Sequence, residues 1–166
     1  MKQAFNQISK KTLFASLIFA TIFMFSSCSK DNSGSVSVSA NFAISGNANS
    51  NQVTPAPTTN NSNGSGTISG TYNSTTKVMT YTSTWTNLTG APLAAGFYSG
   101  AAGTVGSSVS GWALGSGLSA TGTFSSSVTL NADQESQLLA GQFYYLMTTS
   151  ANVSGEIRGQ ITATAQ

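Results

Sequence analysis

The stretch Gly141-Gln-Phe-Tyr-Tyr-Leu-Met-Thr-Thr-Ser-Ala-Asn-Val-Ser-Gly-Glu-Ile-Arg-Gly-Gln-Ile161 decides the fold. A β-rich apolar run from Phe143 to Met147 enters a Ser/Ala/Asn turn region, and a second extended run follows from Glu156 to Ala163. Side chains alternate along a strand, so Gly155, Ile157, Gly159 and Ile161 share one face and Glu156, Arg158 and Gln160 the other. The pattern is a β-hairpin. Isoleucines set between glycines predict a buried face that a neighbouring element approaches closely.

Just upstream the period changes. Asn131 can cap a helix, Gln134 stands three residues on as in a capping box, and Asp133 and Glu135 fall in the positive first turn. Leu138 and Leu139 are expected on its buried side, and Gly141 ends it, giving one short helix over about 131–140. Everything before it reads as strands. Ser35 to Ser45 places Val36, Val38, Ala40, Phe42 and Ile44 on one face against Ser and Asn, a half-buried first strand. An Asn-, Thr- and Pro-rich loop is expected from Gly46 to Gly64, of a length that is uncommon unless a loop is functional or mobile.

Gly66 to Tyr72 and Lys77 to Leu88 predict a second hairpin around Asn73-Ser74-Thr75-Thr76, with Met79, Tyr81, Ser83 and Trp85 on one face. Leu93 to Tyr98 is a further strand before the Gly-rich loop Ser99 to Gly106. Ser107 to Leu114 and Gly122 to Leu130 are weaker strands, diluted by Gly and Ser. Short strands at regular spacing argue for an all-β sandwich or barrel.

The first 27 residues read differently. Lys2, Lys10 and Lys11 precede an apolar run from Thr12 to Phe25, and Ser26-Ser27-Cys28 follows. A basic region, a hydrophobic region of about 7–15 residues and small residues at the cut site mark a secretory signal. A transmembrane helix needs about 20 apolar residues, more than this run holds. Cys28 is the only cysteine, so no disulfide within the chain is available. Its setting resembles a bacterial lipobox, with Phe25 where Leu is usual, and a free thiol is the alternative. The expectation is a signal peptide of lipoprotein type over 1–27, a lipidated tether over 28–35 and a β-domain over 36–166. Ser29-Lys30-Asp31-Asn32 resembles the Lys/Asp tags of some surface-exported lipoproteins. The expected address is therefore the cell envelope, lipid-anchored, on the outer membrane with the domain exposed.

Beyond the signal, Lys30, Lys77 and Arg158 stand against Asp31, Asp133, Glu135 and Glu156, one net negative charge. The basic balance of the whole chain belongs to the signal, and no basic patch is left to attract nucleic acid. Low charge with ample apolar content also argues against disorder.

The run Leu-Leu-Ala-Gly-Gln-Phe-Tyr-Tyr…Thr-Thr…Gly-Glu-Ile-Arg-Gly-Gln-Ile resembles the C-terminal signature of the chordin-type (CHRD) domain. Gln52-Val53-Thr54-Pro55 looks like a degenerate form of the family's Glu-Val-Pro-Pro segment. Leu88-Thr-Gly-Ala-Pro-Leu-Ala-Ala95 resembles the segment leading into its His-x-His pair. The resemblance spans about Val36 to Ile161 and implies an immunoglobulin-like β-fold. It places the histidine pair on Gly96 and Tyr98, and a further family histidine on Thr148. This chain has no histidine, so whatever those imidazoles do in relatives does not carry over.

The same composition constrains chemistry. Neither a Ser-His or Cys-His pair nor a zinc ligand set can be assembled. Asp133 and Glu135 read as helix charges, and the four scattered carboxylates after Cys28 suit calcium poorly. Glu156 and Arg158, at i and i+2, can reach each other or an adjacent strand, which favours an ion-pair or hydrogen-bond role. Of the aromatics Tyr72, Tyr81, Trp85, Tyr98, Trp112, Tyr144 and Tyr145, the candidate ligand contacts are Tyr98, Trp85 and Trp112. Tyr98 stands out because it holds a histidine position beside a Gly-rich loop. The expected function is a membrane-anchored, non-enzymatic binding or structural module without cofactor, whose partner is an unknown protein or glycan. Two alternatives stand beside it: a degenerate metal or redox site, and a carbohydrate-binding module.

Overall fold

The computed structural model describes residues 40–55 and 62–166. The expected signal, the tether with Cys28, and Val36 and Val38 lie outside the described residues. Eight antiparallel strands form one sheet: β1 (Asn41–Asn49), β2 (Ser65–Asn73), β3 (Val78–Thr86), β4 (Pro92–Ser99), β5 (Ser107–Gly111), β6 (Gly122–Thr129), β7 (Phe143–Thr149) and β8 (Ile157–Ala165). Their spatial order is β5-β4-β7-β8-β1-β2-β3-β6, and the sheet curls into a nearly closed barrel. The all-β expectation with one short helix holds.

The alternation read from the sequence sets the inner face. Met79, Tyr81, Ser83 and Trp85 of β3 are all buried, opposite Ile157 and Ile161 of β8 and Phe143, Tyr145 and Met147 of β7 in one core. Aromatic rings fill the centre. Tyr81 meets Phe97 edge-on at 4.7 Å, and Trp112 lies parallel to Phe124 at 5.5 Å and to Tyr145 at 6.0 Å. Trp112 follows β5 and Phe124 belongs to β6, so this stack joins the two ends of the sheet across the interior. Burying one such side chain contributes roughly 1.5–3 kcal/mol.

Local signals placed the turns well. Asn73 accepts from the backbone N–H groups of Thr75 at 3.0 Å and Thr76 at 2.8 Å, the Asx geometry that reverses β2 into β3. The helix α1 (Ala132–Leu139) carries the capping box of Asn131 and Gln134, and Gly141 follows it at φ +70°.

Four expectations need correction. β1 runs on to Asn49 because Gly46 to Asn49 keep pairing with Ser65 to Ile68, so the loop starts later than its Gly and Asn content suggested. Within it, Ser50–Gln52 forms a 3-10 turn capped by Asn49. β5 stops at Gly111, since the ring of Trp112 turns into the core. Leu138 is buried, whereas Leu139 is 41% exposed, because one turn of so short a helix faces the barrel and the next residue has rotated past it.

Candidate functional site

The two charged residues of the C-terminal signature are the most buried charges among the described residues, with Glu156 0% and Arg158 2% exposed. Each has its own setting, and the ion pair their spacing allowed is not the arrangement found.

Glu156 precedes β8, beyond the point where strand alternation governs its direction, and its carboxylate turns under the end of the barrel. Oε1 accepts from the Ser62 hydroxyl at 2.6 Å and the Thr89 backbone N–H at 2.5 Å. Oε2 accepts from the Thr89 hydroxyl at 2.6 Å, the Thr149 hydroxyl, and the Asn152 amide at 3.3 Å. Three loops thus converge on one side chain. Burial works against its ionisation, but the hydrogen bonds from Ser62, Thr149 and Thr89 outweigh that, and the carboxyl titrates below its ordinary range. A carboxylate so ringed with donors ties the three loops that supply them to the start of β8.

Arg158 points out of the barrel and is nevertheless covered. The loop after β4 folds over it, and its guanidinium donates to the carbonyls of Thr104 at 2.7 Å and Ala101 at 2.9 Å. Its flat face lies 3.6 Å from the centre of the Tyr144 ring, and the Tyr144 hydroxyl accepts from the Gly106 N–H at 3.1 Å. Gln160 ties the same loop down through the carbonyls of Gly100 and Gly141. A cleft of about 240 Å³ opens beside this clamp, lined by Asn51, Gln52, Gly103, Arg158 and Gln160 among others.

The glycines of the signature have steric reasons. A side chain at Gly159 would come within 2.6 Å of the Tyr145 ring and 2.8 Å of the Asn47 carbonyl oxygen, as the predicted close approach requires. Gly155 has φ +140°, where an L side chain is strained, and packs against Leu146 and Val53. Val53, from the degenerate Gln-Val-Thr-Pro segment, is thereby joined to the signature.

The predicted ligand contacts separate. Trp85 and Trp112 are buried, Trp85 donating its indole N–H to the Ser119 carbonyl at 3.0 Å, so neither presents a face for stacking. Tyr98 is only half-buried and lies parallel to Tyr144 at 5.3 Å. Gly96, Tyr98 and Thr148 lie on the adjacent strands β4 and β7, with Gly96 opposite Leu146, Tyr98 opposite Tyr144 and Ala94 opposite Thr148. A side chain at Gly96 would meet the Ser110 carbonyl oxygen at 2.7 Å, so this backbone leaves no room for an imidazole there. Those residues do not fit a metal, and among the described residues no group of three His, Cys, Asp or Glu gathers anywhere. Asp133 and Glu135 lie in the first turn of α1 as expected. Glu135 also pairs with Lys77 at 2.5 Å, a contact that holds its carboxyl below the usual range.

Ser62, Thr89, Thr149 and Asn152 were not foreseen from the sequence. The signal was the lone carboxylate itself: a Glu inside an apolar hairpin has to be matched by donors, though nothing local says which.

A curled eight-stranded antiparallel sheet, locked by a Gly-Glu-Ile-Arg-Gly segment with one buried acid and one buried base, defines a small all-β module. The family model of the CHRD domain matches residues 44–161, and the chain belongs to that family. No curated protein and no solved structure matches the chain.

Proposed function

We propose that this protein is a lipid-anchored, non-enzymatic module of the cell envelope, in which the CHRD domain is a binding or structural head displayed at the outer-membrane surface. The observation that carries the non-enzymatic part is the commitment of the charged side chains. Among the described residues, Lys77 pairs with Glu135, Glu156 fills its socket and Arg158 clamps a loop, while Asp133 lies exposed in the first turn of α1. Acid-base chemistry needs a titrating group within reach of a substrate, and all of these but the exposed Asp133 are held by partners.

The anchoring part rests on the order of lysines, apolar run and Cys28. Acyl chains on that cysteine would hold the domain at a membrane, each buried CH₂ adding about 0.8 kcal/mol. Fatty-acid labelling and fractionation of cells expressing Cys28→Ser test it. The label and the membrane association should both vanish while the β-domain still unfolds cooperatively. A Ser variant that stays in the membrane fraction with unchanged processing would overturn the reading. Protease added to intact cells tests display, and protection of the β-domain would place it inside.

Carbohydrate binding has one feature in its favour, the half-exposed Tyr98 stacked on Tyr144. A glycan array comparing the wild type with Tyr98→Ala addresses it. A glycan retained by the wild type and lost by the variant would make this the better description of the head.

A further inference from the structure

The two ends of the sheet are guarded unequally. β5 is five residues long and its pairing with β4 slips at a bulge between Phe97 and Tyr98. β6 is eight residues long, keeps unbroken register with β3, and contains neither proline nor charge. Short length, bulges, prolines and lysines are the usual defences of a free edge, and β6 has none of them.

The backbone direction follows from one bond. The Leu130 N–H donates to the Lys77 carbonyl at 2.8 Å, just past the end of the β6–β3 ladder. In an antiparallel pair the hydrogen-bonding groups alternate sides, so those of Phe124, Ser126 and Val128 face β3. Those of Thr123, Ser125, Ser127 and Thr129 face away from it. On the inner face of this edge Phe124 and Val128 stay half-buried, and Ser126 is exposed.

We propose that this edge joins two copies of the chain, β6 pairing antiparallel with β6 of a second copy about a two-fold axis at Ser126. The sequence around Ser126 has the same apolar and polar order in both directions: Thr123-Phe-Ser-Ser-Ser-Val-Thr129. In this register Phe124 lies opposite the second copy's Val128 on the inner face. Ser125 meets its Ser127 and Thr123 its Thr129 on the outer face. A slip of one residue would set Phe124 against Ser127 and turn the second sheet over, so the pattern selects one pairing. A two-fold interface requires a self-complementary patch, and this edge is one, with no like charges to oppose it. The outward N–H and C=O groups of Ser125 and Ser127 would close the ladder.

The test uses the full chain, whose only cysteine is Cys28, as the control. At the two-fold centre the Ser126 pair is not hydrogen-bonded, which sets the Cα atoms about 4.5 Å apart, within disulfide range. Ser126→Cys should give a covalent dimer on oxidation. Ser125→Cys, opposite a serine, should give far less. Sedimentation of the solubilised wild type should show a concentration-dependent dimer, and Ser125→Lys/Ser127→Lys should abolish it while unfolding within about 0.5 kcal/mol of the wild type at dilutions where both are monomeric. A wild type that stays monomeric would overturn the proposal. So would equal crosslinking from both cysteine positions, a dimer that survives the lysines, or crosslinking only to a different protein.

Discussion

On the β4–β7–β8 side of the barrel the outer surface carries Tyr144, Arg158 and Gln160 under a folded-over loop, and the end beside it holds the carboxylate of Glu156. On the β2–β3–β6 side the outer surface is uncharged and open, with hydroxyls paired from strand to strand. Thr67 meets Thr84 at 2.7 Å, Thr82 meets Ser125 at 2.8 Å, and Ser65 meets Thr86 at 3.1 Å. Both sides share one apolar core, so the core does not distinguish them. They differ in how loops are attached. Where charge is buried, segments more than fifty residues apart in sequence are fixed to single side chains. Where hydroxyls line the surface, only neighbouring strands are joined. Removing one partner of a buried charged group costs far more than removing one member of an exposed pair.

That contrast can be pushed from both directions. The largest effect is expected at the shared core: Ile157→Ala should lower stability by about 2–5 kcal/mol, read from the denaturant midpoint. A loss of that size is felt strongly by a domain whose margin is about 5–15 kcal/mol. Arg158→Ala should cost about 1.5–3 kcal/mol, because its fork serves two carbonyls out of water. Limited proteolysis should then cut within residues 100–106. Arg158→Lys should recover little, since an ammonium cannot bridge both carbonyls and cover the Tyr144 ring. Thr84→Val, on the hydroxyl side, should stay within about 0.5 kcal/mol of wild type in the same unfolding experiment. A ladder residue as costly as Arg158 would erase the distinction between the two sides.

The fold was largely legible because period-two alternation was clear wherever one face was buried. Met79 to Trp85 and Ile157 to Ile161 needed nothing more, and the α1 cap was written in Asn131 and Gln134. Alternation names a face but not what covers it. Arg158 lies on the outward face, and it is buried only because residues 101–104 fold back across it. Glu156 escaped for a related reason: it stands outside the ladder, and its partners come from positions 62, 89, 149 and 152. The tryptophans misled because a large ring with a polar edge suits both a core and a binding surface, and only packing decides.

Most directly tested is the claim that the buried carboxylate of the C-terminal signature is a lock on the fold. The measurement is denaturant unfolding of the wild type and Glu156→Gln from pH 7 downward. The folded-state pKa of Glu156 is depressed, so its stabilisation is full above the unfolded value of about 4.3 and fades as pH falls through the folded value. Glu135 is depressed too and contributes in the same direction, so Glu135→Gln is the matched control. At pH 7, Glu156→Gln should be less stable than the wild type by about 1.5–3 kcal/mol. The two curves should then converge in acid, more completely than those of the wild type and Glu135→Gln. A Glu156→Gln protein as stable as wild type at pH 7, with a parallel acid profile, would contradict the account.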